Sequence, residues 1–290
     1  MAHEKSADSE QREKDLAWDL ESWRRENSRS ITPIAWMESC FPEKFGVPRQ
    51  AGIVPAATGV IHLIPPFNHE TYLTGLELSS HLWITFGFHQ NEWRGRATVR
   101  PQRLGGNARM GVFATRSSFR PNGLGLSAVK IERIDQAAGK IEVSGHDLVE
   151  KTPIYCIKPY IPFADAIAEA KSDFALSPPE RYPVLFTPEA EATLQLILPL
   201  APDLKKLIEE VISQNPLPQF HHDFSRIYGV ELQYWNIQFQ KIDLTQEALL
   251  SKSEQAALKS WNASNNQSNS EMIGFRVIKI NIAKDKIGDT

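Results

Sequence analysis

The chain has 290 residues, a formal charge of −3 and 41% apolar residues, which is typical of an ordinary globular protein long enough for two domains. Because its pI is near 6.3, it has no overall positive field, and any nucleic-acid binding must come from a local patch. Its two cysteines, Cys40 and Cys156, lie in no CxxC or CxxH arrangement, which argues against a disulfide framework and a structural zinc site. No segment resembles a signal peptide or a membrane span. We therefore expect a cytoplasmic protein with no membrane association and no metal.

The first part of the chain predicts a polar arm followed by a sheet. Residues 1–29 are polar, with Leu16, Leu20 and Trp23 at helical spacing, which indicates a short amphipathic helix or a partly disordered arm. Short apolar segments with alternating and β-branched residues then follow, separated by Pro and Gly. They cover residues 57–64, 81–88, 110–115, 126–134, 140–145 and 152–160. Their number predicts a sheet curled toward a barrel, and the lack of intervening helices disfavours a doubly wound fold.

The sequence pattern changes after Asp165, where helical and strand segments alternate. Residues 202–214 form an amphipathic pattern that begins with Pro202 and Asp203, residues favoured at a helix start. A β segment at 227–242, a helical insertion near 246–260, a polar loop at 262–270 and a last strand at 274–282 follow. The predicted fold is mainly β, with a small β-barrel domain over residues 30–165 and a smaller α+β domain over residues 166–290.

Seven arginines occur between residues 94 and 120, without a lysine or an acid among them. A planar guanidinium can hold a phosphate or carboxylate through two parallel hydrogen bonds. The segment therefore predicts a ligand or nucleic-acid surface. The alternative is a set of solvated loop arginines that pair with distant acids. The seven residues are Arg94, Arg96, Arg100, Arg103, Arg109, Arg116 and Arg120.

A GxGxxA string at Gly123, Gly125 and Ala128 looks like part of a dinucleotide fingerprint. That fingerprint requires a helix to follow, whereas the next residues alternate like a strand. We therefore interpret these glycines as a turn that lets the backbone approach a ligand. The polar pair His89 and Gln90 ends an apolar strand and is placed for a site, although a lone histidine is as often structural.

Two further polar groups have competing interpretations. Asp147, Glu150 and Lys158 flank a Thr-Pro turn, where carboxylates usually cap the turn and become catalytic only if the arginine segment lies close by. His221 and His222 are adjacent, and neighbouring residues rarely bind one ion together. We interpret these two histidines as loop or RNA-surface residues.

Several segments together resemble the TsaA-like family. They are EKFGVPRQAGIV (43–54), HLWITFGFHQ (81–90), VRPQRLGGNARMGVFATRSSFRPNGLGLS (99–127), DLVEKTPIYCIKPYIPFAD (147–165) and IYGVELQYWNIQFQ (227–240). The resemblance implies an S-adenosylmethionine-dependent enzyme built on a small β-barrel. It also implies methylation of the exocyclic amino nitrogen of threonylcarbamoyl-adenosine beside the tRNA anticodon, and a homodimer with the methyl donor near the subunit interface.

The same resemblance implies which residues contact the donor: Pro48, Arg49, Gln50, His89, Gln90, Arg116, Leu126, Glu150, Lys151, Thr152 and Pro153. Several positions depart from the family pattern, among them Cys156, where the family often has Asp, and residues 122–125, which read Asn-Gly-Leu-Gly where Asn-Pro-Ile-Gly is usual. The turn at 150–153 reads Glu-Lys-Thr-Pro where Asp-Gly-Thr-Pro is common. Residues 215–220 read Asn-Pro-Leu-Pro-Gln-Phe in place of Asp-Pro-Arg-Pro-Ala-Tyr, a string thought to engage RNA.

For the reaction itself, we expect Arg116 to hold the donor carboxylate and Arg120 the threonyl carboxylate. Asp147 or His89 would accept the proton of the target nitrogen. On the substrate side the predicted residues are Arg94, Arg96, Arg100, Arg103, Arg109, Arg120, Asn122 and Lys158, with Trp93, Phe119 or Tyr234 as stacking surfaces for the anticodon loop. Two alternatives remain: a non-catalytic RNA-binding module, and a methyltransferase acting on another carboxylate-bearing substrate.

Overall fold

The computed structural model describes residues 19–101, 108–172, 178–217, 223–265 and 273–283. The chain divides into two units, residues 1–32 and residues 33–290. In the first unit, residues 19–26 form helix α1, with Leu20 and Trp23 exposed. The second unit contains all the other elements described below. The domain boundary at residue 165 stays a prediction.

Six antiparallel strands form a closed barrel, which confirms the predicted barrel. They are β1 (Ala35–Ser39), β2 (Thr58–Leu63), β3 (His81–Gly87), β6 (Leu124–Asp135), β7 (Lys140–Ser144) and β8 (Pro153–Pro159), in the order β1-β2-β7-β6-β3-β8. Strict alternation along β3 directs Leu82, Ile84 and Phe86 into the barrel, where they join Met37 and Ile61 in a buried core. Strand β1 was not predicted from the sequence.

The predicted strand over residues 110–115 is wrong for most of its length. Only β5 (Met110–Gly111) is extended, and it pairs with β4 (Thr98–Val99) in a two-stranded ribbon outside the barrel. A single 3₁₀ turn covers residues 112–114, where Phe113 is 79% exposed. The last bond of this ribbon runs from the Val112 amide to the Ala97 carbonyl at 2.9 Å. No strand of the described chain continues the ladder, so the backbone turns there.

A second sheet follows in the C-terminal half and confirms the smaller α+β region. Its strands are β9 (Val184–Phe186), β10 (Ile227–Leu232), β11 (Trp235–Asp243) and β12 (Ile273–Ile282), in the order β10-β11-β12-β9, with β9 parallel to β12. The helices are α2 (Pro162–Asp165), α3 (Pro188–Ile197), α4 (Leu204–Ser213) and α5 (Lys252–Asn265).

Three details of this half differ from the predictions. Helix α3 was missed, although Pro188 at its first position and a hydrogen bond from the Ala190 amide to Thr187 Oγ1 mark its start. The single β segment predicted over 227–242 is a hairpin that turns at Gln233, whose φ is +55°. Residues 262–265, predicted as loop, continue α5.

The connection from β1 to β2, residues 40–57, packs against the C-terminal half. Phe41 and Val54 of this connection share a buried core with Leu207 of α4 and Val230 of β10. Glu210 of α4 reinforces this contact, because its Oε2 accepts a hydrogen bond of 2.7 Å from the amide of residue 56. The position of the connection, which carries residues 48–50, therefore depends on the C-terminal sheet and helices as well as on the barrel.

Two glycines of this connection form a matched pair for testing that contact. Gly46 and Gly52 both have positive φ, +93° and +80°. A Cβ at Gly46 would lie 2.4 Å from Val230 Cγ2, whereas a Cβ at Gly52 would meet nothing within 4 Å. Both alanine variants carry the backbone strain, but only Gly46→Ala adds overpacking. We expect Gly46→Ala to lower the free energy of unfolding by about 1–3 kcal/mol more than Gly52→Ala, as measured by urea denaturation. Equal losses would show that the Val230 contact relaxes without cost.

Candidate active site

A cavity of about 660 Å³ lies at one rim of the barrel, where four segments converge. They are the β1–β2 connection, the second half of β3 with the residues that follow it, the chain before β6 with the first residues of β6, and the turn after β7. Its polar and charged lining residues are Lys44, Arg49, Gln50, Thr85, His89, Gln90, Asn91, Arg116, Ser118, Arg120, Ser127, Asp147 and Thr152. The cavity falls within the range of about 300–1,000 Å³ that is usual for small-molecule sites.

The alternation that fills the barrel also builds one side of this cavity. Since Leu82, Ile84 and Phe86 point inward, Trp83 and Thr85 point outward, where both line the cavity. The sequence prediction missed Trp83 and Thr85, although the period of two along β3 contained the signal. Leu126, which pairs with Thr85 in register and is 60% exposed, lies on the same side.

Arg116 is one of the predicted arginines that line the cavity. Its Nη1 donates a 2.5 Å hydrogen bond to Oε1 of Gln50, and both residues line the cavity. Residues 50 and 116 are far apart in sequence, so the contact depends on the folding of the β1–β2 connection over the barrel rim. Arg120 also lines the cavity, and its Nη1 donates to the carbonyl of Thr115 at 3.1 Å.

Asp147 is a partly buried carboxylate in the cavity wall. Burial raises its pKa above the ordinary aspartate value. The opposing effects are a 2.6 Å hydrogen bond from Ser127 Oγ, hydrogen bonds from the amides of Asp147 and Ala51, and the charge of Arg116. The net shift is upward, so this carboxylate takes up a proton at a higher pH than an exposed one does. Ser127 was missed by the sequence prediction because a serine within a strand carries no distinguishing signal.

His89, another residue that lines the cavity, has a side chain that stays uncharged. Burial lowers its pKa, and the positive charge of Lys44 lowers it further, against a hydrogen bond with the backbone of Gly87. Lys44 itself donates to the carbonyl of Gln90 at 2.8 Å and to Oδ1 of Asn91 at 3.0 Å, which ties the β1–β2 connection to the end of β3. At neutral pH the imidazole is therefore an uncharged group that can accept a proton.

Some predicted donor contacts lie outside the cavity lining. Glu150 accepts a 2.7 Å hydrogen bond from the amide of Ser39, which holds the turn against β1. Lys151 has a φ of +60°, a conformation that explains why glycine is common at this place in the family. Lys151 lies on the same turn and Pro153 begins β8, whereas Thr152 between them is buried and lines the cavity. The donor contacts of residues 150, 151 and 153 stay predictions.

The predicted substrate-side arginines are mostly exposed and apart from the cavity. Arg94, Arg96, Arg100 and Arg109 lie exposed on and next to the β4–β5 ribbon, and Arg103 lies outside the described residues. Arg94 forms an exposed ion pair with Glu92 at 3.5 Å. Asn122, in left-handed backbone conformation, and Lys158, on β8, are exposed as well. His221 and His222 also lie outside the described residues.

The three predicted stacking residues are all accessible. Trp93 is 41% exposed, Phe119 52% and Tyr234 60%. Trp93 Nε1 donates to the carbonyl of Arg96 at 3.0 Å, which orients the indole beside the ribbon. These aromatic rings are therefore available for contact with a partner, in contrast to the buried rings of the two cores.

The part of the chain that the structure describes contains no cluster of three or more His, Cys, Asp and Glu side chains suited to a metal ion. None of its helices combines the length and apolarity needed to cross a bilayer. Cys40 and Cys156 are free thiols.

Comparison with known proteins agrees with this geometry. The sequence model of the tRNA-methyltransferase O N-terminal domain matches residues 36–166, and that of the TrmO C-terminal domain matches residues 179–249. A tRNA (adenine(37)-N6)-methyltransferase of Escherichia coli is 43% identical over 223 residues, which are 75% of this chain and 95% of that protein. The chain belongs to the tRNA-methyltransferase O family.

Other members of the tRNA-methyltransferase O family extend the comparison to cofactor and fold. A Pseudomonas aeruginosa protein, provisionally named an S-adenosylmethionine-dependent methyltransferase, is 43% identical over 72% of this chain and 90% of its own length. A crystal structure of TrmO superposes with a TM-score of 0.65 at 33% identity, and covers 87% of this chain and 99% of that chain. The family resemblance, the barrel fold, the methyltransferase class and the S-adenosylmethionine cofactor expected from the sequence are thereby confirmed.

Proposed function

We propose that this protein uses S-adenosylmethionine to methylate the exocyclic amino nitrogen of threonylcarbamoyl-adenosine beside the anticodon of a tRNA. The observation that carries the proposal is the convergence of Arg116, Gln50 and Asp147 on one cavity at the barrel rim. Such a cavity offers a guanidinium for a carboxylate, an amide for a nucleobase edge, and a carboxylate for a proton or a cation. The donor, when bound, supplies an activated methyl group on a sulfonium sulfur.

The residues present fit that donor in charge and shape. Arg116 would hold the donor carboxylate, since its guanidinium faces the cavity beside Gln50. Trp83 and Leu126 supply an apolar surface at the open side. The side chains thus align the reacting groups and exclude water, which is the main requirement of a displacement at a methyl carbon.

Asp147 is the residue we assign to the proton of the target nitrogen. Methylation would leave the target nitrogen with a proton to lose, and the Asp147 carboxylate would accept that proton. Because burial raises the Asp147 pKa, this carboxylate is a stronger base than an exposed aspartate. His89 is the second candidate for accepting this proton, because burial lowers its pKa and keeps the imidazole neutral.

The tRNA would lie over the exposed arginines and aromatic rings. The β4–β5 ribbon carries arginines suited to phosphate contacts, and Trp93 and Phe119 present faces for unstacked bases. We also propose a homodimer, supported by the exposed apolar residue Leu126 beside the cavity. We further propose a cytoplasmic location, where tRNA is modified.

Two assays test the function. Calorimetry with S-adenosylmethionine separates the methyltransferase from a non-catalytic RNA-binding module, which would release no heat. Mass spectrometry of tRNA nucleosides from cells lacking the gene should show loss of the N6-methyl mark on threonylcarbamoyl-adenosine. An unchanged nucleoside profile would contradict the assigned substrate and favour another carboxylate-bearing one.

Arg116→Lys tests the donor carboxylate contact. The lysine keeps the positive charge but lacks the guanidinium fork, so we expect the Kd for S-adenosylmethionine to rise about tenfold by calorimetry, equivalent to about 1.4 kcal/mol. Arg94→Lys, at an 80% exposed side chain outside the cavity, is the control and should leave the Kd unchanged. Equal affinities of wild type and Arg116→Lys would remove Arg116 from the donor site.

Arg96→Ala combined with Arg100→Ala tests the ribbon. If each arginine contacts a phosphate, the slope of log K against log salt for tRNA binding should become less steep by about 1.4–1.8 in the double variant. Arg133→Ala, an exposed arginine on the barrel that pairs with Glu142, serves as the control and should keep the wild-type slope. A wild-type slope in the double variant would show that the ribbon does not contact the tRNA.

A further inference from the structure

A second cavity, of about 220 Å³, shares a wall with the larger one. Lys44, Val47, Pro48 and Arg49 line both cavities, because the β1–β2 connection runs between them. The other wall of the second cavity comes from the end of α4 and the chain that follows it, residues 211–216. The barrel and the C-terminal half thus build this cavity jointly, next to the site of the proposed reaction.

Two polar atoms in residues that line the second cavity lack hydrogen-bond partners within the described part of the chain. They are Nε2 of Gln214, a donor, and Oδ1 of Asn215, an acceptor, and both atoms are buried from solvent. Buried polar groups are nearly always paired, since an unpaired one costs about 1–3 kcal/mol. One donor and one acceptor on consecutive residues match a ligand that offers a carbonyl and an N–H side by side.

Backbone hydrogen bonds place both residues at the end of α4. The amide of Gln214 donates to the carbonyl of Val211 at 3.3 Å, and that of Asn215 to the carbonyl of Ile212 at 3.0 Å, which ends α4. Asn215 adopts a φ of +51°, a left-handed conformation that asparagine tolerates better than most residues. The two amide side chains therefore belong to residues that directly follow the last turn of α4.

The wall shared by the cavities carries positive charge. Lys44 donates to the Gln90 carbonyl and the Asn91 side-chain oxygen, both neutral acceptors, and it forms no ion pair with the residues that the structure describes. The guanidinium residue Arg49 belongs to the same wall. A ligand that combines an amide edge with a carboxylate would meet both the amide pair and these cations.

We propose that the second cavity receives the threonylcarbamoyl group of the modified adenosine, while its target nitrogen faces the larger cavity. The carbamoyl oxygen would accept from Gln214, a carbamoyl N–H would donate to Asn215, and the carboxylate would lie near Lys44 and Arg49. The cavity has one third of the volume of the larger one, which suits a side group of a nucleoside and not a whole nucleotide. This inference rests on the proposed function, and it moves the carboxylate contact predicted for Arg120 to the shared wall.

The test uses Gln214→Met and Asn215→Gly in the full-length protein. Methionine keeps the length of glutamine without its polar atoms, and glycine removes the asparagine amide without straining a left-handed residue. On tRNA that carries threonylcarbamoyl-adenosine, each variant should lose about 10-fold to 100-fold in kcat/KM, while the Kd for S-adenosylmethionine stays within about twofold of wild type. Gln233→Gly, at a left-handed turn residue outside both cavities, is the matched control and should retain wild-type kcat/KM.

A chemically altered tRNA tests whether the shared wall recognises the threonine carboxylate. The same tRNA with the threonine carboxylate converted to a carboxamide should be methylated at least about 10-fold more slowly by wild type. Lys44→Met should abolish that preference for the free acid. Loss of the preference supports the proposal, because the lysine then recognises the carboxylate.

Three results would overturn the inference without touching the proposed function. Wild-type kcat/KM in both amide variants would mean that the second cavity is not used. An acid preference that survives Lys44→Met would place the carboxylate elsewhere, for example on Arg120. The third result combines two observations: both amide variants lose activity, and wild type methylates the acid and the carboxamide at equal rates. That combination would indicate that a neighbouring nucleobase occupies the cavity. By contrast, a wild-type protein that fails to methylate threonylcarbamoyl-adenosine would refute the proposed function itself.

Discussion

Asp147→Asn is expected to slow single-turnover methylation by at least about 100-fold, the lower range for loss of a positioned proton acceptor. Asparagine keeps the size of the side chain and an oxygen for the Ser127 hydroxyl, but it cannot take up the proton of the target nitrogen. Rapid-quench measurement with saturating S-adenosylmethionine isolates the chemical step. Donor affinity, measured by calorimetry, should change far less than the rate.

The pH dependence gives an independent test of the same role. Asp147 accepts a proton only when ionised, and burial raises its pKa, so the wild-type rate should fall as the pH is lowered through that raised pKa. Ser127→Ala removes a hydrogen bond that favours the ionised form and should therefore shift this fall to higher pH. A purely structural role for Asp147 would leave the profile of Ser127→Ala in place.

The proposed role of a side chain as proton acceptor is tested by replacing both candidates, Asp147 and His89. If Asp147→Asn and His89→Gln each keep the wild-type rate, singly and combined, then no side-chain base at these positions is required, and the proton must leave to solvent after methyl transfer.

Glu254→Ala is expected to lower the free energy of unfolding by about 3 kcal/mol, because it leaves a largely buried arginine without its counter-charge. Glu254 is 4% exposed and Arg276 19% exposed at their side chains, and Glu254 Oε1 lies 2.6 Å from Arg276 Nε in a bent geometry. Glu254 has a second role, since its Oε2 accepts from the Ser251 amide while Ser251 Oγ accepts from the Glu254 amide at the start of α5. Urea denaturation followed by circular dichroism measures the loss.

Two variants separate the contributions of Glu254. Glu254→Gln preserves an oxygen for the Ser251 amide but removes the charge, so the difference between the two variants reports the cap, about 1 kcal/mol. Lys130→Ala, which breaks an exposed pair with Glu132 at 2.9 Å, is the control and should cost no more than about 1 kcal/mol. A loss below that control for Glu254→Ala would show that Arg276 reaches solvent or another acceptor when its partner is removed.

Local patterns predicted the barrel strands because a half-buried strand requires alternation, and alternation is visible in sequence. Residues 126–134 and 152–160 show it, and β6 and β8 lie there. The pattern failed at residues 112–115, where no strand of the described chain continues the β4–β5 pair. It also missed the turn at Gln233, since a left-handed non-glycine residue within an apolar run carries no strong turn signal.

The residues of the candidate site likewise include some that were predicted from the sequence and some that were not. Arg116, Asp147 and His89 were predicted from their type and local context, and the structure brings all three to one cavity. Lys44 and Ser127 were not predicted, because a lysine in a loop and a serine in a strand are common in any protein. Their significance comes only from their neighbours, the carbonyl of Gln90 and the carboxylate of Asp147.

Residue types and their spacing along the chain were enough to indicate the family, the barrel strands and the concentration of arginine. Which of those residues share a cavity depends on how distant segments pack in the folded protein. The β1–β2 connection reaches the barrel rim because it is packed against the C-terminal half, through contacts such as that of Glu210 with the amide of Ala56, 154 residues apart. Contacts over such distances in sequence follow from the packing of whole elements, which no local pattern specifies.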